Sequence, residues 1–184
     1  MTETNLTIRK ASIDDRALVK VLWDKVIQDA FSKSTSNEHQ DHAGELQFKM
    51  KQFDKVFRNK KSHYYLAFNG SKLVGTIAYG TPPNWGILKR TKRALKDFIE
   101  IGSLYIDPEM QNKGYGKQLL IYILETLLEA GIETVCFDSI IESSIQLWRR
   151  LFGEPKYMIP AKRSDFIYMI WVVDVKESIN RLKK

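Results

Sequence analysis

The segment Gln111-Asn112-Lys113-Gly114-Tyr115-Gly116-Lys117 constrains this chain more than any other. It follows an apolar, β-branched stretch from Phe98 to Ile106 that Asp107-Pro108 stops. It precedes a run whose Leu119, Leu120, Ile123, Leu124, Leu127 and Leu128 keep helical spacing up to Gly131, a favoured helix-terminating residue. A glycine-rich turn at a helix start suits anions. Free backbone N–H groups point out of the first turn, the positive end of the helix dipole lies behind them, and glycine lets the backbone approach phosphate oxygens closely. Spacing excludes two familiar phosphate loops. A P-loop needs glycine at 111 and Ser or Thr at 118, where Gln111 and Gln118 stand. A dinucleotide fingerprint read from Gly114 and Gly116 needs a third glycine or alanine at 119, where Leu119 stands. What remains is Gln-x-x-Gly-x-Gly between a strand and a helix.

The rest of the chain supplies enough material for one ordinary domain around that loop. At 184 residues, 43% hydrophobic and 28% charged, it is expected to form a single domain over 1–184 and to fill a core without disulfides or metal. The one cysteine, Cys136, lies in the apolar run Val135-Cys136-Phe137 and reads as a buried, inert thiol. Met1 to Lys10 lacks a basic region followed by an apolar stretch, and nowhere do 18 apolar residues run together, so a cytoplasmic protein with no membrane partner is expected. A formal charge of +7 and a pI near 9.4 favour contact with something anionic: nucleic acid, a membrane surface or a phosphorylated cofactor.

Read along its length, the chain opens with a strand at Thr7 to Lys10 and a helix started by Ser12-Ile13-Asp14-Asp15. Ile13, Ala17, Val21, Leu22, Val26 and Ala30 are expected to form its buried face. A polar loop from Ser32 to Gly44 leads to a second helix, Glu45 to Arg58, with Leu46, Met50, Phe53 and Phe57 inward. His63 to Phe68, the turn Asn69-Gly70 and Lys72 to Gly80 read as a hairpin. Thr81 to Gly86 breaks the pattern. Leu88 to Lys96 carries Lys89, Arg90, Lys92, Arg93 and Lys96, and fits a short helix or a loop equally. After the central strand and helix come a strand at Thr134 to Asp138, a helix at Ser143 to Leu151 and a strand at Phe166 to Val173. This order predicts a mixed α/β domain, in which a right-handed crossover sets the strands on either side of the long helix parallel.

The Gln-x-x-Gly-x-Gly loop, with its strand and Asp107-Pro108, resembles the acetyl-CoA pyrophosphate loop of the GNAT superfamily of N-acetyltransferases. Ser144-Ile145-Gln146-Leu147-Trp148-Arg149-Arg150-Leu151 is similar to that family's Ala-Ile-x-Leu-Tyr-x-Lys-Leu segment, and the element order from Thr7 to Val173 follows the family as well. The resemblance implies an α/β fold, a mixed central sheet flanked by helices, with acetyl-CoA as co-substrate and no metal. It implies that amides of Gln111, Asn112, Lys113, Gly114, Tyr115, Gly116 and Lys117 hold the pyrophosphate, with a charge contact from Lys113 or Lys117. Leu104, Tyr105 and Ile106 would pair with the pantetheine arm, with Trp148 also at the cofactor. The implied reaction moves acetyl to a primary amine of a small molecule or protein by direct attack. Glu100, eleven residues before Gln111, matches the place of the glutamate base in the histone-acetylating branch. As an ordinary strand residue it would face solvent instead, and both readings stand.

Two positions depart from the family. Trp148 stands where many members carry the tyrosine that protonates the leaving thiolate, and an indole N–H donates a hydrogen bond without acting as an acid. Tyr105, Tyr115 and Tyr168 are replacements or packing residues; alternatively the thiolate leaves unassisted. Ile141 stands where an asparagine often contacts the pantetheine. Trp148 therefore keeps open a catalytically silent CoA-binding regulatory or interaction module. Glu38, His39, Asp41 and His42 lack further spaced ligands and read as a solvated loop rather than a metal site. The basic cluster lacks the interleaved aromatics of single-strand binders, so nucleic acid is not an expected partner. A homodimer is compatible with everything above.

Overall fold

The computed structural model describes residues 6–33, 42–58, 62–80, 88, 91–160 and 167–184. In chain order the elements are β1 (Leu6–Lys10), a 3-10 turn (Ile13–Asp15), α1 (Arg16–Ser32), α2 (His42–Arg58), β2 (Ser62–Asn69), β3 (Lys72–Gly80) and β4 (Ile99–Ile106). A second 3-10 turn (Pro108–Met110), α3 (Tyr115–Glu129), β5 (Thr134–Ser139), α4 (Glu142–Phe152), β6 (Tyr157–Pro160), β7 (Ile167–Asp174) and α5 (Val175–Lys183) follow. The strands hydrogen-bond in the order β1-β2-β3-β4-β5-β7-β6, with β4 parallel to β5 and β7 antiparallel to both its neighbours. The expected mixed sheet flanked by helices is what forms. Two compact units divide the residues: Met1–Ala78 with Ser103–Leu120, and Tyr79–Gly102 with Ile121–Lys184.

In the first unit, Asp15 organises the start of α1. Its carboxylate accepts the Ser12 amide at 2.8 Å and both arms of the Arg9 guanidinium at 2.6 and 2.8 Å. Chiefly through the Arg9 hydrogen bonds, its pKa is drawn down to about 2. The buried face of α1 is Val19, Leu22, Trp23, Val26 and Ile27. Ile13 and Val21 of the expected face are exposed, at 49% and 70%, and Ala17 is exposed too. The reason is geometric. At about 100° per residue Ala17 and Val21 fall on the side of α1 opposite Val19, Trp23 and Val26, and Ile13 lies in the 3-10 turn before the helix begins. The second helix begins at His42, not Glu45, and His42 Nε2 lies 2.9 Å from Asp24 Oδ1 on α1. Leu46, Met50 and Phe53 are buried as expected, with Phe57 packed beside them. Trp23, fully buried, sits against the rings of Phe53, Tyr64 and Tyr105 at centroid distances of 5.9, 5.5 and 5.7 Å. The hairpin turns at Gly70-Ser71, one residue later than Asn69-Gly70, and Gly70 takes the left-handed φ of 60°.

The second unit contains the parallel ladder, Ile99↔Val135 and Glu100↔Cys136, and the longer antiparallel one from Thr134↔Asp174 to Ser139↔Met169. Phe137 stacks on Trp171 at 5.7 Å and meets Trp148 and Phe152 at 4.9 and 5.3 Å. The expected inert thiol is seen. Cys136 is 1% exposed, and burial, reinforced by the charges of Glu100 and Asp138, pushes its pKa up to about 12. Thr91 to Asp97 forms successive turns rather than a helix, anchored by buried Leu88 and Leu95 against Ile170. Among the described residues, one strand and one α-helix were not expected from the sequence. β6 is a four-residue edge strand, too short for its alternation to stand out. α5 had a usable signal: Asp174 caps it by accepting the Glu177 amide at 2.7 Å, and Val175, Ile179 and Leu182 keep helical spacing.

Candidate functional site

The first unit carries the glycine loop, and its geometry starts in the strand before it. Ser103, in the middle of β4, has a φ of 50°, an uncommon conformation for a residue with a β-carbon. A left-handed residue interrupts the pleat and bends a strand. Three contacts hold it there. Thr76 Oγ1 donates to the Ser103 carbonyl at 3.0 Å, Trp23 Nε1 donates to Thr76 Oγ1 at 2.9 Å, and the hydroxyls of Tyr64 and Ser103 lie 3.3 Å apart. Gly75 lets β3 run close to this stretch, since a β-carbon there would lie 2.6 Å from Ile106 Cδ1 and 3.1 Å from the Tyr105 carbonyl. Neither Ser103 nor Gly75 was singled out from the sequence, because both requirements come from a neighbouring strand.

Beyond β4 the chain is tied down at Asp107, which is 3% exposed. Its amide donates to the Val74 carbonyl at 2.9 Å, and its carboxylate accepts Lys25 at 2.7 Å, Lys72 at 3.0 Å and the Glu109 amide at 3.1 Å. Burial alone would raise its pKa; the two lysines and the amide outweigh that and hold it below the ordinary carboxylate value. Gln111 Nε2 donates back to the Ile106 carbonyl at 3.3 Å, bringing the loop onto the end of β4. Asn112 and Gly114 take left-handed φ values of 61° and 82°. The Gln118 amide bonds to the Gly114 carbonyl at 3.0 Å, so the Tyr115, Gly116 and Lys117 amides occupy the first turn, where no intrahelical acceptor exists. Gln111, Asn112, Lys113, Gly114 and Lys117 are exposed, whereas the Tyr115 side chain is buried. A β-carbon on Gly116 would meet Ile106 only at ordinary contact, 3.5 Å. The fold itself leaves room for a methyl group there.

Glu100 and Trp148 belong to the second unit. Glu100 is half-buried on the parallel ladder, opposite Cys136. Trp148, on α4, lies against Phe137 and Phe152, and among the described residues its indole N–H donates to no acceptor. Of the three tyrosines that could replace the acid, Tyr105 packs its ring against Trp23, Tyr115 is 3% exposed, and Tyr168 packs around the Leu88–Leu95–Ile170 cluster. Glu38, His39 and Asp41 lie outside the described residues, as do Lys89 and Arg90; among the described residues no group of three metal-ligating side chains occurs. Lys92, Arg93 and Lys96 are exposed. A groove of about 320 Å³ between α1 and α2, lined by Arg16, Lys20, Asp24, His42, Leu46 and Met50 among others, contains none of the residues predicted for the site.

The family model described as Acetyltransferase (GNAT) family matches residues 22–153, a span that includes the bent strand, the loop and α4. The chain belongs to the GNAT family. Solved structures agree at the level of the GNAT fold. A GNAT-family protein from Desulfovibrio desulfuricans is 15% identical, with a TM-score of 0.69 over 92% of this chain and 99% of that one. The PaiA N-acetyltransferase of Thermoplasma acidophilum, in complex with coenzyme A, is 19% identical, with a TM-score of 0.66 over 91% of this chain and 98% of that one. YncA of Salmonella typhimurium, with acetyl-CoA, is 14% identical, with a TM-score of 0.59 over 92% of this chain and 94% of that one. No curated protein matches the sequence.

Proposed function

We propose that this GNAT-family protein is an acetyl-CoA-dependent N-acetyltransferase that moves acetyl to a primary amine of a small molecule or protein by direct attack. The observation that carries the reading is the exposed loop Gln111–Gly114, which opens onto the first-turn amides of α3 and is tied to β4 through Gln111 and Ile106. Two structures that share the fold hold coenzyme A or acetyl-CoA, which supports a CoA-type ligand for this loop.

When bound, acetyl-CoA supplies an acyl group activated as a thioester. The amides of Tyr115, Gly116 and Lys117, with the positive end of α3 behind them, bind the pyrophosphate, and Lys113 and Lys117 add positive charge. Backbone groups of Leu104, Tyr105 and Ile106 orient the pantetheine arm, as an added strand pairs with a sheet. An amide of that strand donates to the negative charge that builds on the acyl oxygen. An acceptor amine with a pKa of about 10.4 arrives mostly protonated, and Glu100 takes its proton so that the neutral amine attacks. Trp148 contributes an apolar ring and an indole N–H donor, not an acid. No side chain is assigned the proton of the leaving thiol: a thiol with a pKa of about 8.5 leaves as the thiolate near neutral pH, while the amine's second proton passes to solvent.

The packing of Tyr105, Tyr115 and Tyr168 gives weight to a second reading, a CoA-binding module without turnover. Calorimetric titration with acetyl-CoA, followed by thiol release across amines, polyamines, aminoglycosides and peptides, separates the two. Binding with acceptor-dependent release supports the enzyme. Binding with no release by any acceptor supports the module, and absence of binding overturns both.

A further inference from the structure

Four charged side chains converge on one point beneath the loop. Asp107 Oδ1 accepts Lys25 Nζ at 2.7 Å and Oδ2 accepts Lys72 Nζ at 3.0 Å. Glu109 closes the ring, its two oxygens lying 2.8 Å from Lys25 and 3.3 Å from Lys72. The lysines come from α1 and β3, so three separate parts of the first unit meet at the residue that ends β4.

The two carboxylates are not equivalent. The Asp107 side chain is 4% exposed and Glu109 67%, while Lys25 and Lys72 stand at 39% and 52%. Burying a carboxylate is costly unless its oxygens are fully partnered, and here both oxygens of Asp107 are. The cluster sits where the backbone leaves the sheet, just after Ile106. From Asp107 the chain is bonded forward without a gap. The Glu109 amide donates to its carboxylate, the Met110 amide to its carbonyl at 2.7 Å, and the Gln111 side chain to Ile106. Moving Asp107 therefore moves the start of the glycine loop. Because each lysine is engaged by both carboxylates, the pair acts through Asp107 rather than as free cations for a phosphate.

We infer that Asp107, held by Lys25 and Lys72, is a positioning residue that sets the Gln111–Gly116 loop for a pyrophosphate. It governs affinity for the nucleotide half of the acyl donor and not for the pantetheine half. The inference rests on the acetyl-CoA reading of this loop.

The test compares coenzyme A with pantetheine, which lacks the pyrophosphate and nucleotide, as ligands of the full chain. Asp107→Asn, Lys25→Met, Lys72→Met and Lys72→Arg are each titrated by calorimetry and ligand-observed NMR, with thermal melting recorded alongside. The first three are expected to raise the Kd for coenzyme A about tenfold or more, as a displaced binding group does, and to leave that for pantetheine within about twofold. Lys72→Arg, which keeps the charge, is expected to retain most of the affinity. Should Asp107→Asn fail to fold, the half-exposed lysine variants carry the comparison. Equal weakening of both ligands makes the cluster a matter of general stability and overturns the inference, as does unchanged coenzyme A binding in every variant. A wild-type protein that binds no coenzyme A overturns the acetyl-CoA reading itself, and this inference with it.

Discussion

Trp23 Nε1 donates a 2.9 Å hydrogen bond to Thr76 Oγ1, both residues being fully buried, and Thr76 donates in turn to the carbonyl of Ser103, the left-handed residue in β4. A buried indole N–H needs an acceptor, and a hydroxyl can accept and donate at once, so Thr76 links the indole to the carbonyl of the bent strand. Thr76→Val keeps the shape and removes both bonds. It is expected to cost about 1–3 kcal/mol, the penalty for a buried donor left unmade, and to weaken acetyl-CoA binding by releasing the bend. Thr76→Ser keeps both bonds and should retain most of each. Urea denaturation and calorimetry check the pair; a valine variant as stable as wild type would remove the network from the account.

Glu100 lies on the parallel ladder opposite Cys136, half-buried. Glu100→Gln preserves size and packing while removing the base, so kcat is expected to fall about 10²–10⁴-fold with acetyl-CoA affinity unchanged. The limb of the pH–rate profile contributed by the carboxylate should vanish with it. A variant with wild-type kcat and profile returns Glu100 to the role of an ordinary strand residue.

Two glycines near Ile106 are expected to respond in opposite ways to alanine. At Gly75 the added carbon would lie 2.6 Å from Ile106 Cδ1 and 3.1 Å from the Tyr105 carbonyl, so Gly75→Ala should destabilise by about 1–3 kcal/mol through overpacking. At Gly116 the nearest atom is 3.5 Å away and the position is helical, so Gly116→Ala should leave stability unchanged or raise it by about 0.5–1 kcal/mol. If Gly116 serves the approach of a phosphate, that same variant loses acetyl-CoA affinity. Melting curves paired with ligand titrations read both effects, and a Gly116→Ala protein that binds normally removes the steric argument for the loop.

The Arg9–Asp15 pair makes stability depend on pH at the acid end. The folded pKa of Asp15, about 2, lies below its ordinary 3.8, so the unfolded chain binds more protons in between and stability rises with pH across that window. The contribution is complete above the ordinary value and is lost as pH falls toward 2. With Arg9 46% exposed and therefore screened, Asp15→Asn should cost about 1–2 kcal/mol near neutral pH. Denaturation curves taken from pH 6 downward should show wild type and variant converging, and a constant difference would assign the cost to packing.

Much of this molecule was readable from residue order because the signals involved are local. Glycines at a helix start, the leucine spacing of α3, and the hairpin, though its turn falls one residue later than read, each depend on a few consecutive residues, and the glycine loop with the 144–151 segment pointed to the family. The face of α1 was misread for want of a partner: until α2 and β4 pack against Trp23, nothing distinguishes the line through Val21 from the line through Val19 and Val26. Asp107 read as a strand breaker before a proline, and its ring of lysines was invisible because Lys25 and Lys72 reach it only across the folded unit. Ser103 carried no mark of its bend, which Thr76 imposes from a neighbouring strand. The sequence alone thus determined that a glycine loop joins a strand to the start of a long helix. Tertiary structure alone decided what holds that loop in place, because the buried hydrogen bonds and ion pairs that hold it join residues distant along the chain.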